Sequence, residues 1–253
     1  MKTISVIGAG TMGNGIAHCF AQKEFEVYLV DLSEDNLNNA RITIAKNLDR
    51  MIKKAILTEE EKKQTMSRIH FQQQIGEYVK NSDLVIEAVT ESKKVKLDIF
   101  RQLDLLCNKE TIIASNTSSI SIADLASVTT RKDKVIGMHF MNPVPIMKLV
   151  EVIKTQNTSK ETIKKIIDLS IFLEKKPVLV NDSPGFVANR ILLPMINEAI
   201  QTLNEKVSGV KEIDTVMILG MSHPMGPLQL ADFIGLDVCL SILELLYEGF
   251  NDK

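Results

Sequence analysis

The hydrophobic pattern at the start of the chain changes from that of a strand to that of a helix and back again. Apolar residues dominate from Lys2 to Ile7, where a glycine cluster begins, and from Thr11 to Lys23 they recur at helical spacing. A second short apolar run, Glu26 to Val30, ends at Asp31. This order of strand, glycine turn, helix and strand predicts a βαβ unit and therefore a parallel sheet.

A long helical pattern from Ser33 to Gln74 then interrupts this alternation. Its apolar positions lie three, four or seven residues apart, and basic residues that include Lys53 and Lys54 lie on the same helix. Thr58, with Glu61 at the third helical position, is typical of the start of a second, shorter helix. We therefore expect a helical hairpin inserted in the sheet domain.

The α/β alternation resumes after the hairpin and ends with a closely spaced pair of strands. Two apolar runs, Lys134 to Phe140 and Lys148 to Ile153, are joined only by Met141 to Met147. Because this link is too short for a crossover helix, we expect the two strands to be antiparallel. The other elements predicted here are strands at 84–88, 111–115 and 177–180 and helices at 92–106, after Ser121 and at 159–173.

The segment from Asn181 to Gly185 marks a domain boundary. Ser183 is suited to a helix N-cap and Pro184 to the first helical position. Beyond it we predict only helices, at 184–204, 210–219 and 226–250, with a break or bend near Gly235. The expected fold is an α/β, Rossmann-type dinucleotide-binding domain over residues 1–182 with the inserted hairpin, followed by an all-helical domain over residues 183–253.

Composition and charge exclude several classes of partner. The chain has 30 Lys and Arg against 32 Asp and Glu, so it lacks the basic excess of a nucleic-acid-binding protein. We find no membrane-spanning stretch and no secretory signal, so we expect a cytoplasmic protein. The three cysteines match neither a disulfide framework nor zinc-ligand spacing. We expect reduced, mostly buried thiols and no metal site.

The GAGTMG motif at residues 8–13 places a phosphate-binding turn at the start of the first helix. Gly8 allows a tight turn, Gly10 lets backbone amides approach a pyrophosphate, and Gly13 permits close helix packing. The alternative is a purely structural glycine turn. Asp31 ends the next strand, where its carboxylate binds the hydroxyls of an adenosine ribose and repels a 2′-phosphate. We therefore expect NAD rather than NADP.

His139 ends a predicted strand at the sheet edge where ligands bind in such folds. Glu151 lies as far after Pro145 as His139 lies before it, so the two side chains face each other if the strands fold back there. A carboxylate on one imidazole nitrogen would fix the tautomer and make the other a better base. The alternative is a structural or solvated pair.

The hydrophobic pattern does not decide the roles of three further groups of polar residues. The segment 116–119 follows another strand end, where its side chains either reach the same edge or only form a turn and cap. Asn189 and Arg190 either line a cleft or pair locally. Lys53 and Lys54 either form a solvated helix face or hold a phosphorylated substrate.

Five motifs follow one another along nearly the whole chain: VIGAGTMGNGIA, VIEAVTE, ASNTSS, GMHFMNPVPIMKLVEVI and DSPGFVANR. In this order they resemble the 3-hydroxyacyl-CoA dehydrogenase family, closest in type to the stand-alone bacterial 3-hydroxybutyryl-CoA enzymes. The resemblance implies reversible, NAD-dependent oxidation of (S)-3-hydroxyacyl-CoA in fatty acid β-oxidation or butanoate metabolism. A dehydrogenase of a free 3-hydroxy acid and a non-catalytic NAD-binding protein are the alternatives.

The resemblance also assigns roles to residues. His139 is implied as the catalytic base, Glu151 as its orienting carboxylate, and Ser118 and Asn189 as donors to the substrate oxygen. Lys54 matches a basic contact to coenzyme A, and Asn47 stands where the family has a neighbouring serine contact. The implied cofactor residues are Gly8, Gly10, Thr11, Met12, Gly13, Asp31, Glu91, Lys96 and Asn142.

The second domain is expected to mediate dimer formation. The predicted helix at 226–250 carries more leucines than a short helical domain covers alone, and the helical domains of the family meet each other. We therefore expect a two-fold homodimer. Family members usually continue beyond the position of Lys253, so we expect this domain to be shortened.

Overall fold

A computed structural model describes residues 1–250 of the chain, which divides into two units, Met1–Asp182 and Ser183–Lys253. The strands of the first unit are β1 (Thr3–Ile7), β2 (Glu26–Val30), β3 (Ile69–Gln72), β4 (Leu84–Glu87), β5 (Ile112–Ser115), β6 (Val135–Phe140), β7 (Leu149–Lys154) and β8 (Lys176–Asn181). Its helices are α1 (Thr11–Gln22), α2 (Glu34–Lys53), α3 (Glu59–Ser67), α4 (Lys93–Leu106), α5 (Ile122–Ser127) and α6 (Lys160–Phe172). The second unit contains α7 (Ala188–Asn204), α8 (Val210–Met221), α9 (Pro227–Ile234) and α10 (Leu236–Phe250).

The eight strands form one sheet in the order β3-β2-β1-β4-β5-β6-β7-β8. Neighbours from β3 to β6 are parallel, β6 and β7 are antiparallel, and β7 and β8 are parallel. Strands β4, β5 and β6 are buried along their whole length, which explains their nearly continuous apolar sequences. The predicted α/β fold and the antiparallel strand pair are confirmed. As a result, the carboxyl ends of β1, β4, β5 and β6 meet at one edge of the sheet.

The prediction that the helical hairpin extends from Ser33 to Gln74 was wrong at its end. Helices α2 and α3 form the expected hairpin, but Ile69–Gln72 is the edge strand β3, paired in parallel with β2. This strand is only four residues long and carries one fully buried side chain, Ile69. Its structure is therefore set by pairing with β2, a tertiary effect that local periodicity does not reveal.

The helix predicted to begin at Pro184 begins at Ala188 instead. The intervening residues form a turn in which Gly185 has a φ of +70° and Phe186 a φ of +50°. Residues in this left-handed region do not continue an α-helix. The backbone N–H of Phe186 donates to the carbonyl of Ser183, so Ser183 contributes to this turn and is not the helix cap.

The helices of the second unit pack around a small apolar core. Its buried members are Leu193, Ile196, Ala231, Cys239 and Leu246. Gly235, with a φ of +103°, separates α9 from α10 and confirms the predicted break. Helices α8 and α9 are also linked by hydrogen bonds. The buried carboxylate of Asp214 in α8 accepts them from two first-turn amides of α9.

The three cysteines are buried free thiols. Burial raises the pKa of Cys19 and of Cys107 to about 11, so both are protonated at neutral pH. Within residues 1–250 no helix is long and apolar enough to cross a membrane. The same residues contain no cluster of three or more His, Cys, Asp or Glu side chains arranged to hold a metal ion.

The capping box of α3 gives a test of the hairpin. The Thr58 hydroxyl accepts from the Glu61 amide at 3.2 Å, and the Glu61 carboxylate accepts from the Thr58 amide at 2.6 Å. We expect Thr58→Ala to lower the free energy of unfolding by about 1 kcal/mol, because it removes the hydroxyl that caps the Glu61 amide and contacts the Glu61 carboxylate. Urea unfolding monitored by circular dichroism measures it. Thr215→Ala, an exposed threonine within α8, is the control and should stay within about 0.5 kcal/mol; an equal loss in both variants would contradict the capping role.

Candidate active site

The turn between β1 and α1 is shaped by glycines that are not interchangeable. Gly8 has a φ of +105°, and a Cβ there would lie 2.5 Å from the carbonyl oxygen of Ala88. A Cβ on Gly13 would lie 1.7 Å from the carbonyl oxygen of Gly8. A Cβ on Gly10 would meet no protein atom within 4 Å. Gly8 and Gly13 are therefore required by the fold, whereas Gly10 leaves open space at the start of α1 for a ligand.

A cleft of about 640 Å³ opens beside this turn at the carboxyl edge of the sheet. Gly8, Gly10 and Asp31 line one wall, and residues 88–90 after β4 line another. Thr11 is exposed at the first position of α1 and Met12 is half-buried beside it. The amino end of α1 carries partial positive charge, so the turn suits a pyrophosphate.

Asp31 lies in the cleft at the end of β2, and its carboxylate is fixed by three donors. The Ala9 amide donates to Oδ2 at 2.8 Å, and the Ser33 amide and Asn36 side chain donate to Oδ1 at 2.9 and 3.1 Å. Two carboxylate oxygens offer about four acceptor positions, so Asp31 keeps capacity for a ribose hydroxyl. The carboxylate is thus positioned before a ligand arrives and suits an unphosphorylated ribose.

A buried ion network lies where β4 ends and α4 begins. The ammonium of Lys96, 1% exposed, lies 2.6 Å from the Glu87 carboxylate and 3.2 Å from that of Glu91. Burial raises the pKa of Glu87, and the charge of Lys96 opposes that rise. The ammonium group of Lys96 is therefore paired with two carboxylates of the protein itself.

Glu91 organises the segment after β5 by accepting several hydrogen bonds. Its Oε1 accepts from the hydroxyls of Thr117 and Ser119 and from the backbone amide of Ser118 at 3.0 Å. Burial raises the pKa of Glu91, but Lys96 and these hydroxyl donors outweigh it, so the pKa lies below the usual value for Glu. The half-buried Ser118 is therefore fixed at the sheet edge by an ionised carboxylate.

His139 and Glu151 face each other across β6 and β7, as predicted. They are direct partners in the antiparallel register, and His139 Nδ1 lies 2.8 Å from Glu151 Oε2. His139 is 8% exposed and Glu151 2% exposed. The contact of Nδ1 with the carboxylate therefore fixes the orientation of the His139 ring.

Asn116 links the two strand ends that carry Ser118 and His139. Its side-chain oxygen accepts from the backbone amide of Phe140 at 2.9 Å, directly after His139. In the β5–β6 register Ser115 is paired with Gly137. The segment after β5 and the end of β6 are therefore held side by side, which brings Ser118 and His139 to the same edge of the sheet.

Three other predicted site residues lie on other elements of the chain. Lys54 is exposed at the C-cap of α2, and Asn142 is exposed in the segment between β6 and β7. Asn189 lies in the first turn of α7, in the second unit. Its neighbour Arg190 contacts the end of α10, where its guanidinium stacks on the Phe250 ring at 4.3 Å. Asn47 accepts from Arg50 on the same helix.

Several organising residues were not identified from the sequence. Glu87 is one of them. A carboxylate in an otherwise apolar strand indicates a buried ion pair, because a buried charge requires a partner. The roles of Asn36 and Asn116 are set by contacts to Asp31 and Phe140 that sequence spacing does not show.

The comparison of the chain with known families agrees with this geometry. The profile of the 3-hydroxyacyl-CoA dehydrogenase NAD-binding domain matches residues 3–183, and that of the 3-hydroxyacyl-CoA dehydrogenase C-terminal domain matches residues 185–253. The chain belongs to the 3-hydroxyacyl-CoA dehydrogenase family. The NAD-binding domain also agrees with the glycine turn and Asp31, so NAD is the cofactor of this dehydrogenase.

Individual relatives support the same assignment. The chain is 50% identical over 253 residues to the probable 3-hydroxybutyryl-CoA dehydrogenase of Bacillus subtilis (strain 168), covering 100% of this chain and 88% of the relative. It is 42% identical to human mitochondrial hydroxyacyl-coenzyme A dehydrogenase, covering 98% and 81%. The crystal structure of (S)-3-hydroxybutyryl-CoA dehydrogenase from Ralstonia eutropha has a TM-score of 0.95 at 49% identity, covering 100% of this chain and 89% of that one.

The glycines of the turn give a paired test of the cofactor cleft. We expect Gly10→Ala to fold normally but to lose NADH affinity by about tenfold or more, because the added methyl group occupies only ligand space. Gly13→Ala should instead lose more than about 3 kcal/mol of unfolding free energy through the collision with Gly8. Fluorescence titration with NADH and thermal unfolding measure the two effects. Unchanged NADH affinity in Gly10→Ala would contradict the placement of the cofactor.

Proposed function

We propose that this dehydrogenase catalyses the reversible oxidation of (S)-3-hydroxyacyl-CoA, such as 3-hydroxybutyryl-CoA, to 3-oxoacyl-CoA. The observation that carries the proposal is the buried His139–Glu151 pair, which lies at the sheet edge that also bears the dinucleotide turn. Relatives at about half identity are named 3-hydroxybutyryl-CoA dehydrogenases and agree with this substrate class.

The cofactor fits the residues present. The space at Gly10, the amino end of α1 and the fixed carboxylate of Asp31 are the features that a pyrophosphate and an adenosine ribose require. These residues would hold NAD+, which would supply the hydride acceptor for C3 of the substrate. Glu91, Lys96 and Asn142 are proposed to line the nicotinamide half of the cofactor site. Glu91 is held in place by the hydrogen bonds that its carboxylate accepts from residues 117–119.

The chain supplies the proton chemistry. His139 takes the proton of the 3-hydroxyl on Nε2, while Glu151 holds Nδ1 and stabilises the imidazolium that forms. Ser118, fixed by Glu91, and Asn189 are proposed to donate hydrogen bonds to the substrate oxygen, whose charge changes in the transition state. In the reverse direction His139 returns the proton.

Recognition of coenzyme A is proposed at the helical hairpin. Lys54 is exposed at the end of α2, where its ammonium is available to a phosphate of the CoA moiety. A homodimer through the second unit is proposed from apolar side chains that α10 exposes, including Leu240 and Tyr247. Cytoplasmic location stays a prediction from the sequence.

Two substrates and one variant test the function. We expect the protein to oxidise NADH rapidly with acetoacetyl-CoA and at least about a hundredfold more slowly with free acetoacetate, because CoA binding energy positions the keto group. His139→Gln should lose at least about a hundredfold in kcat with little change in NADH affinity. Absorbance at 340 nm follows both reactions.

A matched histidine controls for this substitution. His70 Nε2 also lies 2.8 Å from a carboxylate oxygen, that of Glu26, but this pair is half-exposed on the outer strands β2 and β3. His70→Gln should keep wild-type turnover. Equal rates with acetoacetate and acetoacetyl-CoA would favour a dehydrogenase of free hydroxy acids. No turnover with either substrate would contradict the proposed 3-hydroxyacyl-CoA dehydrogenase activity.

Cofactor preference gives a separate prediction. Asp31→Ser should weaken NADH binding by about tenfold or more and NADPH binding less, because it removes a charged ribose acceptor and a repulsion of the 2′-phosphate together. The exposed Asp35, at the start of α2, supplies the control Asp35→Ser, which removes a nearby charge without changing the ribose acceptor. Catalytic efficiencies with both cofactors are measured. Equal efficiency of the unmodified protein with NADPH would contradict the role of Asp31.

A further inference from the structure

A buried cation lies against the segment that joins the two strands of the His139–Glu151 pair. Lys175, between α6 and β8, is only 9% exposed. Its ammonium donates to the carbonyl oxygen of Val144 at 2.5 Å and to that of Met147 at 2.8 Å. Both acceptors belong to the connection from Met141 to Lys148, which we call the β6–β7 loop.

Burying an ammonium group is unfavourable unless hydrogen bonds replace those it makes with water. The two carbonyls of the β6–β7 loop supply that replacement here. The reverse also holds, because without Lys175 these carbonyls would lose a charged donor. The loop and the buried cation therefore stabilise each other in one arrangement.

Helix α1 holds the same loop from another side. Gly15 approaches the loop so closely that a Cβ there would lie 2.8 Å from Cβ of Val144, which is 2% exposed. Val144 is thus fixed twice, through its carbonyl by Lys175 and through its side chain by α1. His18, one turn further along α1, is fully buried, and burial together with the charge of Lys175 lowers its pKa to about 4. It therefore stays neutral beside the cation.

The loop also connects two parts of the proposed catalytic machinery. It begins directly after β6, which carries His139, and ends at β7, which carries Glu151. It contains Asn142, proposed for the nicotinamide half of the cofactor site. Loop movement would therefore displace Asn142 and loosen the strand ends that align the histidine with its carboxylate.

We infer that Lys175 is a positioning residue for the dehydrogenase reaction: by holding the carbonyls of Val144 and Met147 in the β6–β7 loop, it sets the placement of Asn142 and His139 relative to the bound cofactor. This inference rests on the proposed function of those two residues. Lys175 contacts neither substrate nor cofactor and acts through the β6–β7 loop.

The test compares Lys175→Met with Lys176→Met, the exposed neighbouring lysine. Methionine keeps most of the side-chain length but removes the donor. We expect Lys175→Met to lose about tenfold or more in kcat with acetoacetyl-CoA and to bind NADH several-fold more weakly. Affinity for ADP-ribose, which lacks only the nicotinamide, should stay within twofold, because Gly10 and Asp31 are proposed to hold that part. Lys176→Met should match the unmodified protein.

Two results would overturn the inference. One is a Lys175→Met protein whose kcat and NADH affinity match the unmodified enzyme. The other is an equal loss of NADH and ADP-ribose affinity, which would show a general structural defect. Because the binding measurements do not need turnover, an inactive unmodified protein would count against the proposed function and leave the role of Lys175 to be judged on binding.

A second variant decides the matter if Lys175→Met fails to fold. Gly15→Ala replaces a glycine within a helix by a better helix former but pushes against Val144. It should reproduce the selective loss of NADH affinity and kcat. Gly220→Ala, within α8, is its control, because a Cβ there meets no atom within 4 Å. If Gly15→Ala behaves like the control, loop placement does not limit the reaction and the inference is wrong.

Discussion

The hydrogen bond between His139 and Glu151 depends on one feature of the fold, the antiparallel pairing of β6 with β7. In a sheet whose other strands from β3 to β6 are parallel, this reversal places a residue at the end of β6 directly opposite one near the middle of β7. A shift of one residue would turn Glu151 to the other face of the sheet. The β6–β7 loop, its contact with α1 and the ammonium of Lys175 all favour the observed register.

The same edge of the sheet contains an unusual amount of buried charge. Glu87 and Lys96 are almost fully buried, and a buried ion pair seldom stabilises a fold more than well-packed apolar residues would. Its contribution here is positional. Lys96 keeps Glu91 ionised, and Glu91 in turn fixes the amide of Ser118 and the hydroxyls of its neighbours. A rigid polar segment beside a histidine is suited to a reaction in which charge develops on one substrate oxygen.

Features of the fold that depend on short-range pattern were predictable. The β1–α1 turn, the capping box at Thr58 and the facing of His139 and Glu151 around Pro145 all follow from residue types at fixed spacing. Features that depend on distant partners were not. Strand β3 exists because β2 offers an edge, and the turn before α7 depends on left-handed backbone at Gly185 and Phe186.

The side-chain networks also contain some features that short-range pattern predicts and others that depend on distant partners. Asp31 was recognised by its position after β2, but its three donors were not. Lys175 lies in a polar stretch at the end of a helix, where a lysine is ordinarily solvated, so its burial against two carbonyls had no sequence signal. The family resemblance supplied roles for Ser118 and Asn189 that pattern alone left open.

Glu151 is proposed to act on the reaction through its contact with His139. A double-mutant cycle on the rate of hydride transfer, measured by single-turnover NADH absorbance with Glu151→Leu, His139→Gln and the double variant, tests it most directly. Each single substitution should slow the reaction by about a hundredfold or more, and the double variant should be no slower than His139→Gln alone. If the two losses multiply instead, Glu151 acts independently of His139, which would contradict its proposed role.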